Sequence, residues 1–423
     1  MDINSKLFDF IEKCPSPYHT VASVKSELEA SGYKELYESE KWELCDKGKY
    51  FVIRNGTSII AFKLEKSSNG FMIVASHSDS PSFRLKITPE LTDAYTRLEV
   101  EKYGGMIYYS WLDRPLSVAG RAVIKIKNGI ESRLVNIDRD FAVIPSVAIH
   151  MNRVVNDGYK FNPAVDLLPL VGSSAAKGSV ISDIADELKV DKDDIISHDL
   201  FLYNRDEGRA FGANNEYILS PRLDDLECVF ASLKAFLSAF DAESIPVLAV
   251  FDNEEVGSET KQGAASTFLH DVLSRIAGDS YYTMLDNSFM VSADNAHAKH
   301  PNHPELADAD NAPLMNGGIV IKWNANQKYT TDGVSDAFFR TVCERCGAKV
   351  QSYYNRADIL GGSTLGSISN TKVSIPTVDI GLAQLAMHSA TETAGAEDVS
   401  HLVKALTEFF QTSVKKQGEK IIF

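Results

Sequence analysis

The stretch Ile245 to Ser258, IPVLAVFDNEEVGS, constrains the fold more than any other part of the sequence. An unbroken apolar run, Pro246 to Phe251, gives way abruptly to Asp252, Asn253, Glu254 and Glu255. A run of that length with β-branched Val247 and Val250 is expected to be a strand buried on both faces rather than a helix. It then delivers carboxylates at its C-terminal end, and in open α/β sheets ligands bind in the crevice beyond the carboxyl ends of the strands. Paired glutamates are common in solvated loops. Here they follow a buried strand with no Lys or Arg between Ile245 and Ser258, which favours a cation site. On extended backbone the two side chains point to opposite sides, so one can hold a cation while the other moves protons.

At 423 residues the chain exceeds one typical core, and two or three domains are expected. A net charge of -15 without any basic cluster argues against nucleic-acid or anionic-membrane partners. The opening MDINSKLFDFIEKC lacks a basic-then-apolar signal pattern, and no apolar run approaches ~18 residues, so neither export nor a membrane span is expected. Cys14, Cys45, Cys228, Cys343 and Cys346 are odd in number and scattered, which fits reduced thiols in a cytoplasm. Cys343 and Cys346 form a lone CxxC, expected as two half-buried thiols on one helical turn rather than a zinc knuckle.

Two helices are expected over 2–13 and 17–31, separated by Pro15-Ser16-Pro17 and stopped at Gly32. Asn55-Gly56 between Tyr50–Arg54 and Ser58–Leu64 marks a hairpin. Phe71 to Ala75 is a buried strand ending in Ser76-His77-Ser78-Asp79. From about Phe83 to Ala213 alternating patterns such as Arg121 to Lys127 (RAVIKIK) indicate a β-rich module inserted into the first domain. His150 closes an apolar segment there, where a structural histidine is the ordinary reading. Later elements are a helix over Leu226 to Phe240, whose preceding Asp224 and Asp225 suit a helix N-terminus, and a helix over 263–277. There follow a strand Phe289 to Ala293 leading to Asp294, a strand Ile319 to Trp323 carrying Lys322, and a helix Val334 to Cys346. The last are a strand Val373 to Ile380 and a helix from Ala396 to Lys415.

The polar residues that end apolar segments are His77, Asp224, Glu254, Glu255, Asp294 and His388. Two imidazoles and several carboxylates suit Zn²⁺ or a similar divalent ion such as Mn²⁺ or Co²⁺, and the set is too rich for one ion. A pair of ions needs a bridging carboxylate plus one His and one acid each, which leaves one glutamate to move protons. That constellation hydrolyses peptides or amides. The chain has no HExxH and no GxSxG, which weakens the one-zinc and serine-hydrolase readings. Asp79, two residues beyond His77, is placed to orient that imidazole.

His77-Ser78-Asp79-Ser80-Pro81, Ser220-Pro221-Arg222-Leu223-Asp224, Asp252 to Ser258, Ser292 to Ala298 with His300-Pro301-Asn302, and Ala386-Met387-His388-Ser389 resemble the motifs of the M18 aminopeptidases, the aspartyl aminopeptidase family. The similarity spans nearly the whole chain in the family's order, and Ser16-Pro17-Tyr18-His19 shares it. The resemblance implies two zinc ions, one held by His77 and Asp294 and the other by Glu255 and His388. It also implies that Asp224 bridges them, with Glu254 as general base and Asp79 as a catalytic-site acid. The implied fold class is α/β: a zinc-exopeptidase-like catalytic domain (1–85 and 215–423), with a mixed β-sheet flanked by helices, interrupted by an inserted β-rich dimerisation or lid domain (86–214). The partners implied are peptide substrates and further copies of the chain, as dimers and a tetrahedral dodecamer.

The resemblance further implies substrate contacts from Lys322, His297 and Tyr329, and from a His150 that reaches the neighbouring subunit's site as a substrate contact or a metal ligand. A lysine in the side-chain pocket would select N-terminal Asp or Glu; an edge-strand lysine is its bland reading. The rivals are another two-metal amidase, a deacylase or dipeptidase, and an assembly or cargo protein that keeps the fold without catalysis. The complete ligand set with Glu254 speaks against the last.

Overall fold

The computed structural model describes residues 2–64, 68–240 and 242–423. Its centre is a nine-stranded mixed sheet in the order Lys34–Leu36, Lys49–Arg54, Ser58–Lys63, Ile245–Phe251, Phe71–His77, Phe289–Ala293, Thr377–Gly381, Ile319–Trp323, Val350–Tyr354. The four strands from Ile245–Phe251 to Thr377–Gly381 run parallel, each hydrogen-bonded to the next. Their C-terminal ends therefore lie side by side, about 4.8 Å from neighbour to neighbour.

Alternate residues of these strands feed two cores. Met72, Val74, Leu248 and Val250 face one layer of helices, with Phe230, Leu402 and Phe409. Phe71, Ile73, Val247 and Ala249 face the other, with Phe268, Leu273 and Leu365. Coverage on both faces is why these segments read as continuous apolar runs rather than alternating ones.

The N-terminal helices span Ile3–Glu12 and Pro17–Ala30, with Pro17 at the first helical position and Gly32 at φ 83° just past the end. The hairpin turns through Asn55 and Gly56, both at positive φ, in a three-residue connection between Arg54 and its partner Ser58. Residues 82–204 supply a separate six-stranded antiparallel sheet, with all of RAVIKIK but its last lysine inside the strand Leu116–Ile126. It has its own core, including Phe83, Trp111, Val118 and Leu200, covered by Ile184 of the helix Ser179–Leu188. A five-stranded sheet links Arg209–Phe211, Tyr217–Ser220, Glu392–Gly395, Ala383–Leu385 and Ala296–His297 across the mouth of the central one.

Several boundaries differ from the sequence expectation. The helix before Ala277 begins at Phe268 rather than residue 263, because Thr260 and Gln262 hydrogen-bond to Asn253 and hold the chain in a compact loop. The strand expected from Val373 begins at Thr377, just after Pro376, which has no N–H to donate. The last helix stops at Gln411, and the chain returns as a hairpin, Lys415–Gln417 with Lys420–Ile422. Cys343 and Cys346 share the end of the helix Gly333–Cys346, the first buried and the second half-buried, both free. Among the described residues no helix is long and apolar enough to cross a membrane.

Candidate metal centre

The side chains that close the parallel strands meet. His77 is the last residue of its strand, Glu254 and Glu255 follow Phe251, and Asp294 follows Ala293. Asp224 joins them from the start of Leu223–Ser238, and His388 from the loop between Ala383–Leu385 and Glu392–Gly395. Asp224 lies at the middle: its Oδ1 is 3.5 Å from His77 Nε2 and its Oδ2 is 3.4 Å from His388 Nε2. His388 Nε2 is also 3.5 Å from Glu255 Oε2. Three sets of ligand atoms fall within 4.8 Å of one another: His77, Asp224, Asp225 and Asp294; Asp224, Glu255 and His388; and His77, Glu254 and Glu255. All six residues that end apolar segments are thus brought together, and Asp225 is added.

Local backbone accounts for the aim of these side chains. Asp224 (φ -82°, ψ 107°) and Asp225 (φ -119°, ψ 20°) are not helical, and at 3% and 0% exposure they turn inward rather than cap the helix that follows. The glutamates do not diverge on extended backbone as expected. Asn253 adopts φ 66° and Glu254–Val256 is a 3-10 turn, and this tight reversal brings an oxygen of each carboxylate within 4.8 Å of the other and of His77. That reversal is held by Asp79, whose Oδ1 accepts from Glu254 N and Oδ2 from Glu255 N, each at 3.2 Å. The carbonyl oxygen of Asp79 is 3.0 Å from His77 Nδ1, while its Oδ1 is 3.5 Å away, which leaves Nε2 directed at Asp224.

Glu392 was not foreseen. Its Oε2 accepts from Asp224 N at 3.0 Å and its Oε1 from His388 N at 2.7 Å, so one buried carboxylate fixes both loops. Asp225 Oδ2 likewise accepts from His77 N at 3.0 Å. Contacts of this kind, from a side chain to a main-chain N–H, leave no spacing in a sequence to find.

The charge balance calls for a cation. Burial pushes the Glu254 carboxyl up to about 8; His77 pulls it back, while Asp294, Asp79 and Asp224 push it further. Burial likewise raises Asp225, Glu255 and Asp294. Burial works against the charged form of His77 too, but Asp225, Asp224 and Asp79 outweigh it and raise the imidazole. Asp224 Oδ1, Asp225 Oδ1 and Glu255 Oε1 are buried with no hydrogen-bond partner. Each such orphan costs about 1–3 kcal/mol unless something satisfies it. Buried carboxylate oxygens without donors, beside two imidazoles, are what a divalent cation with borderline-hard preferences would satisfy.

Beside the cluster opens a cavity of about 170 Å³ lined by Asp224, Glu254, Asp294 and His388 on one side and by His297, Lys322 and Tyr329 on the other. The strand of Lys322 is not at the edge: it lies between Thr377–Gly381 and Val350–Tyr354, and Lys322 is 2% exposed. Its ammonium donates to the carbonyls of Asp294 (2.6 Å) and Asn295 (3.2 Å) and sits 5.3 Å from the Tyr329 ring centroid. His150 is exposed, in a turn of the 82–204 segment, and is not among the residues lining this cavity.

Residues 10–410 match the family described as aminopeptidase I zinc metalloprotease (M18). The chain belongs to the M18 aminopeptidases. It is 47% identical to a probable M18 family aminopeptidase 2 of Clostridium acetobutylicum over 427 residues, covering 97% of this chain and 99% of that one. A Pseudomonas aeruginosa protein of the same description is 40% identical, with 97% and 99% covered. This M18 chain superposes on yeast aminopeptidase 1 (Ape1) with a TM-score of 0.85 at 30% identity, covering 97% of this chain and 96% of that one. The S. cerevisiae mApe1 dodecamer gives the same values. Ape4 in its complex with Nbr1 gives a TM-score of 0.93 at 34% identity, covering 96% and 85%. As an M18 member the chain is a zinc metalloaminopeptidase whose buried His, Asp and Glu cluster has the donors that zinc takes.

Proposed function

We propose that this aminopeptidase removes N-terminal residues, preferentially Asp and Glu, from peptides at a centre for two zinc ions. His77 and Asp294 would hold one ion and Glu255 and His388 the other, with Asp224 shared between the two sets. The observation that carries this reading is the orientation of Asp224, with one carboxylate oxygen toward each histidine. When bound, the ions supply Lewis acidity that polarises the scissile carbonyl and acidifies the attacking water.

The chain's own residues do the rest. Glu254, which lines the cavity beside the cluster, takes the water's proton and passes it to the departing amine. Asp79 holds the Glu254 and Glu255 amides and the His77 ring, so the base and both halves of the centre keep one geometry. Lys322 spends two of its three N–H groups on carbonyls and lies 3.6 Å from Asp294 Oδ1, so its positive charge at the cavity wall would be shared between Asp294 and an acidic side chain of the first residue. His297 and Tyr329 line the same wall.

We further infer that 1–85 and 215–423 form the catalytic domain and that 86–214 forms the dimerisation domain of a dodecamer. The relative solved as a dodecamer and the separate sheet of residues 82–204 support this reading. An exposed His150, absent from the lining of its own chain's cavity, suits a residue that serves a neighbour's site. The odd, scattered cysteines support a cytoplasmic location.

The test is a scan of N-terminal residues on one model peptide, with zinc content measured on the same preparation. Two zinc ions per chain and the highest kcat/KM for Asp and Glu are expected. Turnover confined to N-blocked substrates would instead favour a two-metal deacylase.

A further inference from the structure

We infer that Tyr103 to Ile107, a strap leaving the six-stranded sheet, positions the Asp224, Glu255 and His388 half of the metal centre. The inference rests on those three residues being ligands, as proposed above.

Tyr103 ends the strand Tyr95–Tyr103. Its hydroxyl donates to Asp79 Oδ2 at 2.6 Å and accepts from Asn253 Nδ2 at 2.9 Å. Its ring is fixed edge-on against Phe201, with centroids 5.4 Å apart. It therefore grips from outside the same carboxylate that holds the Glu254 and Glu255 amides. The strap then crosses the centre itself. Gly104 has φ 75°, and a Cβ there would stand 3.1 Å from Glu255 Cβ and 3.5 Å from its Oε2. A Cβ on Gly105 would be 3.8 Å from His388 Nδ1. Ile107 N donates to the His388 carbonyl at 3.0 Å, and a few residues on Ser110 Oγ accepts from Ala390 N at 2.9 Å.

One short segment thus touches Asp79, Glu255 and His388 in succession. Gly104 is what such a close passage requires, since a side chain there would push on Glu255 and strain the backbone at once, whereas a Cβ at Gly105 would make only an ordinary contact with His388. Ligand constellations tolerate displacements of only ~0.5 Å. Tyr103, Gly104 and Gly105 are positioning residues that act through Asp79, Glu255 and His388, and they make the six-stranded sheet part of the metal centre's support.

The experiment follows zinc release to a chromogenic chelator from the intact, zinc-loaded oligomer, together with kcat and KM. Wild type is compared with Gly104→Ala, Tyr103→Phe and Gly32→Ala, all checked for native circular dichroism. Gly32 has φ 83° and nothing within 4 Å of its Cβ position, so it carries the backbone strain alone. In Gly104→Ala one of the two zinc ions is expected to bind roughly 10- to 100-fold more weakly, the scale of losses when a ligand's support is altered. Tyr103→Phe is expected to release zinc faster and to lose kcat with KM within about twofold. Gly32→Ala is expected to match wild type. Wild-type release in both Gly104→Ala and Tyr103→Phe would overturn the strap's role, and if Gly104→Ala does not fold, Tyr103→Phe alone decides. Weakened binding in Gly32→Ala equal to that of Gly104→Ala would also overturn it. Fewer than two zinc ions on the wild-type chain would overturn the two-ion reading and the strap with it, a result separate from unchanged release in the variants.

Discussion

Glu392 accepts the backbone N–H of Asp224 at 3.0 Å, so the residue at the middle of the metal centre is held by its main chain as well as aimed by its side chain. The other oxygen of Glu392 takes the N–H of His388. A glutamine there has one acceptor oxygen for two donors. Glu392→Gln is expected to fold and to bind zinc about 10- to 100-fold more weakly, measured by competition with a chelator of known affinity. Unchanged affinity would show that the two loops hold themselves.

Glu254→Gln removes the proton acceptor and leaves Asp224, Glu255 and His388 in place. Zinc content is expected to stay at the wild-type value while kcat falls roughly 10²- to 10⁴-fold, the range for loss of a general base. Metal analysis and steady-state kinetics on one preparation decide it, and a wild-type rate removes Glu254 from the role.

Chelation should both stop turnover and lower stability. The buried oxygens of Asp224, Asp225 and Glu255 that lack donors become costs that nothing offsets. At a free zinc concentration 100 times its dissociation constant, each ion adds about 2.7 kcal/mol. Thermal unfolding with and without EDTA is expected to show a lower midpoint without metal, restored together with activity by added zinc.

Lys322→Ala is expected to lower kcat/KM for Asp and Glu substrates at least ~30-fold more than for Leu substrates, on the scale of losing one partner of a desolvated charge pair. The Leu substrate serves as the internal control, because the variant also leaves the carbonyls of Asp294 and Asn295 without their donor. Equal losses on both substrates would assign Lys322 to structure alone.

His19 gives a pH effect away from the centre. Burial pushes its imidazole down to about 4 from an ordinary 6.5, and its Nδ1 lies 2.8 Å from Ser16 Oγ. Between those values the unfolded chain binds a proton that the folded chain does not, so stability is complete above pH 6.5 and is lost as pH falls toward 4. His19→Gln is expected to flatten that part of the loss. Unfolding midpoints of the two proteins from pH 7 to 4 check it, and parallel curves would contradict it.

The ligand candidates were legible because each closes an apolar run: His77 after Phe71–Ala75, Glu254 and Glu255 after Phe251, Asp294 after Ala293. Burial on both sheet faces writes those runs into the sequence. Glu392, Asp225 and Tyr103 were not legible, since their partners are main-chain N–H groups or a carboxylate brought near only by folding. The expected divergence of Glu254 and Glu255 does not occur, since both carboxylates face His77, and the turn that brings them there begins at Asn253, a residue type that tolerates its positive φ. Similarly, the loop ahead of Phe268 hides in a stretch of helix-compatible residues tied back by Thr260 and Gln262.

The order of strands in the central sheet has a consequence for biosynthesis. Ile245–Phe251, Phe71–His77, Phe289–Ala293 and Thr377–Gly381 are neighbours in space but are translated far apart. His77 leaves the ribosome long before Asp294, and the loop that seats His388 is closed only by Glu392, later still. A nascent chain that has not yet reached His388 and Glu392 therefore lacks one of the proposed ligands and the carboxylate that seats it, so the centre is complete only once that loop has been made.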